Sequence, residues 1–496
     1  MKEAVRGRYI LTGDKAGTTI RDGAIIFSHG TIIDMGHFDA MQRKHHLERV
    51  HGSHNHVVLP GLVNAHHHGN GIHLLRVGRM DAPLERFISS SAYVPDAKVG
   101  PICYENTALA GLKMLKSGVT TTLHHYIYSE ANSSGYLEMT SLCLQAYKDL
   151  GMRVAFAPGI KDRHQFAYMD DDSFISGLPA HAVDSLKRMG KVPAQYPTAT
   201  QYFQAFDQLR NRHQSSRCRF LFGPSGPQWC SPQVLKEIRE RSEKEDIGIH
   251  IHVLESPAQR KYGDREYAGG LIGYLEGLGL LNSRLTVAHG VQLTKEEIRK
   301  LARADCKLAH NPSSNLRLFN GVAPIREMLE EGLAVGIGTD NYSIDDDDDM
   351  FSEMRLCSVL QRPPRIDADP IPYSVLLNMT VANGAKITDF QGVTGQLEPG
   401  MKADLVLLDF QRIEEPFIGP DVDMLTAILN FANKSHVDKV FVEGECVLEH
   451  GRPTRIDEEK LLGDIRRKYQ LKRESLESKK LRQAINEELI RLYSSW

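Results

Sequence analysis

The sequence predicts an α/β fold: a (β/α)8 TIM barrel with a small β-sandwich domain formed by both chain ends. Three observations carry that prediction. Strand-like and helix-like segments alternate between residues 59 and 392, with eight strand-like runs, the pattern of a parallel barrel. Short β-rich runs separated by Gly and Asp turns lie before and after that block. Histidines and acids recur where the barrel strands end, and barrels of this kind carry their chemistry at the C-terminal strand ends.

Residues 1–58 supply the first part of the sandwich, strand-like at Tyr9–Leu11, Gly23–Phe27 and Gly30–Met35. The first barrel strand is the apolar run that ends in His66-His67-His68. The next three are Val119–Leu123, Met152–Ala157 and Cys218–Phe222. The last four are Gly248–Val253, Leu285–His289, Cys306–His310 and Leu333–Gly338. Helical periodicity falls between many of them, over 104–116, 232–245, 294–303 and 323–331. Residues 393–455 return to β texture at Gly400–Asp409 and Val437–Gly444. The tail, 456–496, is charged and helical, with Leu461, Leu462, Ile465, Tyr469 and Leu471 at rough helical spacing. It reads as a solvated helix or one packing at a subunit interface, and the expectation is a homo-oligomer, a dimer or higher.

Composition narrows the partners. Of 496 residues, 41% are hydrophobic, enough for a large core. Lys and Arg number 60 against 63 Asp and Glu, a formal net charge of −3. That balance argues against a nucleic-acid or polybasic membrane partner and leaves a small-molecule substrate. Seven dispersed cysteines with no C-x-x-C pair suit a reducing, cytoplasmic setting. The N-terminus has no apolar signal-peptide core, and no window approaches ~18 uninterrupted apolar residues.

Side chains alternate along a strand, so His66 and His68 share a face and His67 points away. A single strand-end histidine is usually a packing residue. Here five of the eight predicted strand ends carry imidazole or carboxylate: His66/His68, His250/His252, His289, His310 and Asp340. Imidazoles with one carboxylate and no thiolate suit one divalent metal per subunit, Zn2+ or Fe2+. Three His and one Asp leave a position for water, whose pKa a bound Zn2+ brings near 7. Glu255, three residues after His252, is placed to take a proton from that water and pass it to a leaving nitrogen.

These residues sit in longer motifs: Pro60–His68, His250–Glu255, Ala288–Gly290, His310–Leu318, Gly336–Asp340 and Gly392–Leu405. In order and spacing, from about residue 5 to 450, the chain resembles the amidohydrolase superfamily. The likeness is to its metal-dependent aminohydrolase and chlorohydrolase branch, whose relatives act on triazines, purines and related heterocycles. The resemblance implies that His66, His68, His252 and Asp340 bind one metal. Glu255 and His289 flank water and substrate, and Asp340 helps take the water's proton. The implied reaction is hydroxide attack on an electrophilic carbon, a tetrahedral centre, and departure of ammonia, an amine or another group. Arg76, in a loop with His73 after the first strand, matches an Arg common in this branch.

The chain departs from the family pattern in three places. His124-His125 follows the second strand where many relatives have an Asp near this position, which makes His125 a candidate substrate contact. After Asp340 stands Asn341, seen in some chlorotriazine hydrolases, and then Asp345–Asp349, a solvated helix start or an acidic pocket wall. Trp229, in the loop after the fourth strand, offers a flat indole for stacking on a planar substrate or for packing as pocket wall. His310 joins His125, Trp229, Asn341 and Arg76 as candidate substrate contacts. His250, one layer below His252, either orients a ligand or touches substrate.

The reading is a mononuclear metal-dependent hydrolase cleaving a C–N bond in a small nitrogen-rich, heterocyclic compound. One alternative is hydrolytic dehalogenation on the same site. The other is a non-catalytic assembly protein, which would lack the ligand set. No lysine stands at the fourth strand end to be carboxylated as a binuclear bridge.

Overall fold

The computed structural model describes residues 2–92, 102–127, 133–345, 347–468 and 475–496. Asp346 of the acidic run and Tyr469 and Leu471 of the tail lie outside them.

The chain opens with β1 (Lys2–Leu11), β2 (Thr19–Ser28), β3 (Thr31–His37) and β4 (Val50–Pro60). The central block then supplies β5 (Leu62–His67), β6 (Val119–Tyr126), β7 (Arg153–Ile160), β8 (Cys218–Phe220) and the short β9 (Gly223–Pro224). It continues with β10 (Ile249–Val253), β11 (Leu285–His289), β12 (Lys307–His310) and β13 (Ala334–Ile337). All eight long runs fall where the sequence placed them. They pair in parallel as β5-β6-β7-β8, with β9 on β7, and as β10-β11-β12-β13. Parallel bridges join Phe222 to Ile249 and His67 to Asp340, linking the two runs at both sides. The result is a TIM-barrel-like α/β arrangement.

Helices form between these strands where the sequence stops and starts them. Helix Pro232–Glu245 begins on Ser231, whose hydroxyl accepts from Val234 N–H, with proline in its first turn. Helix Lys295–Arg303 opens on a Thr294/Glu297 capping box and buries Ile298 and Leu301.

Both chain ends meet in one sheet. β14 (Leu405–Asp409), β15 (Val437–Val442), β16 (Glu445–Glu449) and β17 (Arg452–Pro453) join the first four strands in the order β17-β16-β15-β14-β4-β1-β2-β3. Phe27 on β2 and Phe441 on β15 stand four strands apart in that order, which in a flat sheet is about 19 Å. Their ring centroids are 6.2 Å apart. The sheet therefore curls over, and Val5, Ile25, Val58, Leu405 and Leu407 fill the enclosed face.

A buried ion pair ties this sheet to the central block. Arg153 on β7 and Asp404 are both fully buried, with Nε 2.9 Å from Oδ2 and Nη2 3.2 Å from Oδ1. Asp404 Oδ1 also accepts from Glu443 N–H at 2.7 Å. With both partners matched, the pair fixes a geometry that neither side chain would hold alone. The tail helix Leu476–Ser494 buries Leu481, Ala484, Ile485 and Leu489 against Phe166, Phe174 and Leu186. Of the apolar tail residues picked out from the sequence, Leu461 is buried in the main core and Ile465 packs against it. No helix among the described residues is long and apolar enough to cross a membrane.

Candidate metal centre

His66, His68, His252 and Asp340 come together at the C-terminal strand ends. Each offers one donor atom, and those atoms lie within 4.8 Å of one another. Asp340 Oδ1 is 3.1 Å from Nε2 of both His66 and His68, and the Nε2 atoms of His68 and His252 are 3.2 Å apart.

The surrounding hydrogen bonds set how these groups present themselves. His68 Nδ1 donates to the carbonyl of His125 at 2.7 Å, and His252 Nδ1 to the carbonyl of Ser225 at 2.8 Å. A neutral imidazole that donates from Nδ1 carries a bare lone pair on Nε2. His66 Nδ1 meets His250 Nε2 at 2.8 Å. When His66 is the donor there, its Nε2 also turns a lone pair inward. Burial pushes His66 down to about 3, against the opposing pull of Asp340. Burial and the nearby His125 ring push His252 well below the usual imidazole range. Burial opposes ionisation of Asp340, but the close His66 and His68 rings outweigh it and hold the carboxyl well below its ordinary value. Three lone pairs and a carboxylate oxygen converging in a buried space repel one another without a cation. The donor chemistry fits one divalent metal.

The backbone pays attention to the same atoms. Asp340 N–H donates to the His66 carbonyl at 2.9 Å, and His68 N–H to the Asp340 carbonyl at 2.8 Å. This pair of hydrogen bonds across the strand ends holds Asp340 in the left-handed region at φ 57. Ser314 Oγ donates to Asp340 Oδ2.

Glu255 lies beside this cluster, 3% exposed. Asn320 Nδ2 donates to its Oε1 at 3.1 Å, and its backbone N–H donates to Gln259 Oε1 at 2.9 Å. Burial, then the charges of Asp340 and Glu85, push the Glu255 carboxyl well up. His289 Nδ1 is 3.8 Å from Glu255 Oε1 and 2.9 Å from Asn315 Oδ1. Its ring stacks on His252 at 5.4 Å. A buried carboxyl raised toward neutrality beside a cation site is suited to moving protons.

The other sequence candidates divide. His125 packs against the ligands, 4.7 Å ring to ring from His252 and 5.6 Å from His68. His310 is buried beside His289, pushed to about 3 by burial and then by the His289 charge, and neither ring nitrogen has a partner among the described residues. Asn341 is buried but turns its carboxamide oxygen to Ser343 N–H, so it closes its own turn. Trp229 packs on Tyr168, 5.7 Å between centroids, with Lys161 Nζ 5.1 Å above its ring. Arg76 is exposed on the short helix Leu74–Val77. His250 meets His66, while His67 faces Thr339 and Tyr342. Asn320, Gln259 and the Ser225 carbonyl were not singled out from the sequence. Asn320 follows the His310–Leu318 motif by two residues, the nearest signal available.

Comparison with known proteins gives a consistent picture. The profile of the Amidohydrolase family matches residues 57–447. A 5-methylthioadenosine/S-adenosylhomocysteine deaminase of Desulforudis audaxviator (strain MP104C) is 30% identical over 475 residues, 94% of this chain and 98% of the relative. An adenosine deaminase from Xanthomonas campestris, solved with bound zinc, superposes with a TM-score of 0.77 at 23% identity, covering 98% of each chain. An atrazine chlorohydrolase variant from Arthrobacter aurescens TC1, complexed with zinc and atraton, gives a TM-score of 0.78 at 22% identity, over 94% of this chain and 99% of that one.

Proposed function

The chain belongs to the amidohydrolase family, and on that premise we propose that it is a hydrolytic deaminase releasing ammonia from the amino group of an adenosine-type purine nucleoside. It is a metal-dependent hydrolase acting on C–N bonds. The observation that carries the finer reading is Glu255, buried and raised beside the His66/His68/His252/Asp340 cluster and 3.8 Å from His289. The adenosine-type substrate is supported by the relative at 30% identity, named for deaminating two adenosine derivatives.

His66, His68, His252 and Asp340 would hold the metal, which we propose to be zinc. Bound there, a divalent ion supplies the Lewis acidity that brings the pKa of a water near 7. Glu255 takes a proton from water as oxygen adds to the amino-bearing carbon. It then gives that proton to the nitrogen as the C–N bond breaks and ammonia leaves. His289, its Nδ1 donating to Asn315, turns the lone pair of Nε2 to the site, where it can accept a hydrogen bond from the adding water and orient it. Burial of the whole set keeps these interactions strong. We also read the two strand runs as one closed (β/α)8 barrel, and the seven free cysteines as supporting a cytoplasmic setting.

The test is ammonia release from adenosine, 5-methylthioadenosine and S-adenosylhomocysteine, beside chloride release from a chlorotriazine, with metal content measured on the same preparation. Ammonia from the nucleosides supports the reading. Chloride release without ammonia establishes the dehalogenase alternative instead.

A further inference from the structure

We infer that Asn320 is a further substrate-contacting residue, which holds Glu255 with its amide nitrogen and accepts a hydrogen bond from the leaving nitrogen with its amide oxygen. The inference rests on the C–N cleavage described above.

Asn320 is fixed independently of any ligand. It follows helix Pro312–Arg317 through a tight turn in which Phe319 adopts φ 58, a strained conformation for a bulky side chain. Its N–H donates to the Asn315 carbonyl at 2.8 Å, and its own carbonyl accepts from Gln292 Nε2 at 2.6 Å. The residue is 2% exposed. The side chain then has one orientation open to it: the NH2 faces the Glu255 carboxylate at 3.1 Å, because the oxygen there would meet a second oxygen.

That orientation leaves Oδ1 buried with no partner among the described residues. Buried acceptors are nearly always matched, and an unmatched one beside a reacting group calls for a donor on the ligand. The donor has to reach the neighbourhood of Glu255 Oε1. In a deamination the group arriving there is the departing nitrogen. It carries N–H throughout, gains its last proton from Glu255 and leaves as ammonia. A chloride in the same place offers no hydrogen and gains nothing from Oδ1. Asn320 would thus select the leaving group, while its Nδ2 keeps Glu255 Oε1 in place and leaves Oε2 to carry the proton.

Adenosine and its 6-chloro counterpart share every other contact, so they are the probes. Asn320→Leu keeps the volume and removes both polar atoms; Asn320→Asp keeps an acceptor and loses the donor. We expect Asn320→Leu to lower kcat/KM for adenosine by roughly 10- to 100-fold and for the chloro compound by less, since both lose the Glu255 contact but only adenosine loses the acceptor, so that the ratio of the two falls. Asn320→Asp should keep more of that ratio but move the pH optimum upward, since Glu255 loses a donor and gains a negative neighbour. Metal content and melting temperature of each variant separate these effects from misfolding. Equal losses on both substrates, or none on either, overturn the leaving-group role. Wild-type protein that releases no ammonia overturns the deaminase reading itself, a result visible before any variant is made.

Discussion

His68 Nε2 and His252 Nε2 stand 3.2 Å apart, and each ring spends its Nδ1 proton on a backbone carbonyl on the far side. In neutral rings two bare lone pairs face one another across that gap. The polypeptide holds them there through the His125 and Ser225 carbonyls, against their repulsion. A cation that accepts both lone pairs removes the repulsion, so metal binding and folding stability are linked.

Metal removal should therefore destabilise the protein. Free metal at 100 times its dissociation constant contributes about 2.7 kcal/mol to the folded state. A chelator should lower the melting temperature by several degrees, and stoichiometric zinc should restore it. A melting curve indifferent to chelation in protein shown to carry metal would count against this linkage. Because the ligands must be unprotonated, the stabilisation should fade only in acid, as pH falls toward the value of about 3 to which burial pushes His66.

His250 should matter to the metal without touching it. Its Nε2 lies 2.8 Å from His66 Nδ1 and is the acceptor that leaves His66 Nε2 free to coordinate. Removing such a partner costs about 10- to 100-fold in metal affinity. Competition with a fluorescent chelator on His250→Ala should show that loss. His250→Gln, which restores an acceptor, should recover part of it.

How much of this was legible in the chain follows from how each residue reaches the site. His66, His68, His252 and Asp340 ride on strand ends, so strand periodicity and position locate them without tertiary information. Glu255 follows His252 closely enough to share that logic. Asn320 reaches Glu255 across 65 residues of sequence through a loop, and no local pattern encodes the meeting. The Ser225 carbonyl that orients His252 is a backbone atom, which residue identity does not mark. Trp229 stood out by its place in the loop after the fourth strand, but its indole finds Tyr168 and Lys161, because a large apolar ring packs wherever aromatic surface is near. The tail shows the same limit: amphipathic spacing tells that one face is buried, not which surface buries it. Here Leu461 and Ile465 turn to the main core of the same chain.

Asp345 gives a pH signature separate from the metal. Its carboxyl is raised to about 6, chiefly by burial, and it interacts with the buried Glu353. The folded value lies above the ordinary carboxylate value of 3.8, so folding favours the protonated form. Its contribution is complete below about pH 3.8 and is lost as pH rises through about 6. At neutral pH the loss is at most about 3 kcal/mol. Asp345→Asn removes the charge but keeps the oxygen that accepts from Asp347 N–H at 3.0 Å. In metal-free protein, urea unfolding should find this variant more stable than wild type at pH 7 and equal to it near pH 4. A variant less stable at pH 7 would refute the assignment.

Gly338 is where a single methyl group should reach the metal centre. It follows β13 and lies against the backbone of β5. A Cβ added there would stand 2.5 Å from Asn311 Oδ1, 2.7 Å from His66 N and 2.8 Å from His66 O. The two His66 atoms are backbone and cannot give way cheaply. Gly338 N–H donates to the His310 carbonyl at 2.8 Å, and the His66 carbonyl is already held by Asp340 N–H. The methyl must push β5 outward, and His66 moves with it. Overpacking of this kind costs about 1–3 kcal/mol, and displacement of one ligand atom should weaken the metal further. Gly277→Ala is the control, since nothing lies within 4 Å of a Cβ there and the residue ends helix Gly270–Gly277. We expect Gly338→Ala to melt lower and to retain less than stoichiometric metal after dialysis. Gly277→Ala should match wild type in both measurements. Equal metal retention by the two variants would mean that the His66 backbone tolerates displacement, and that the tight approach of β13 to β5 is not what positions the ligand.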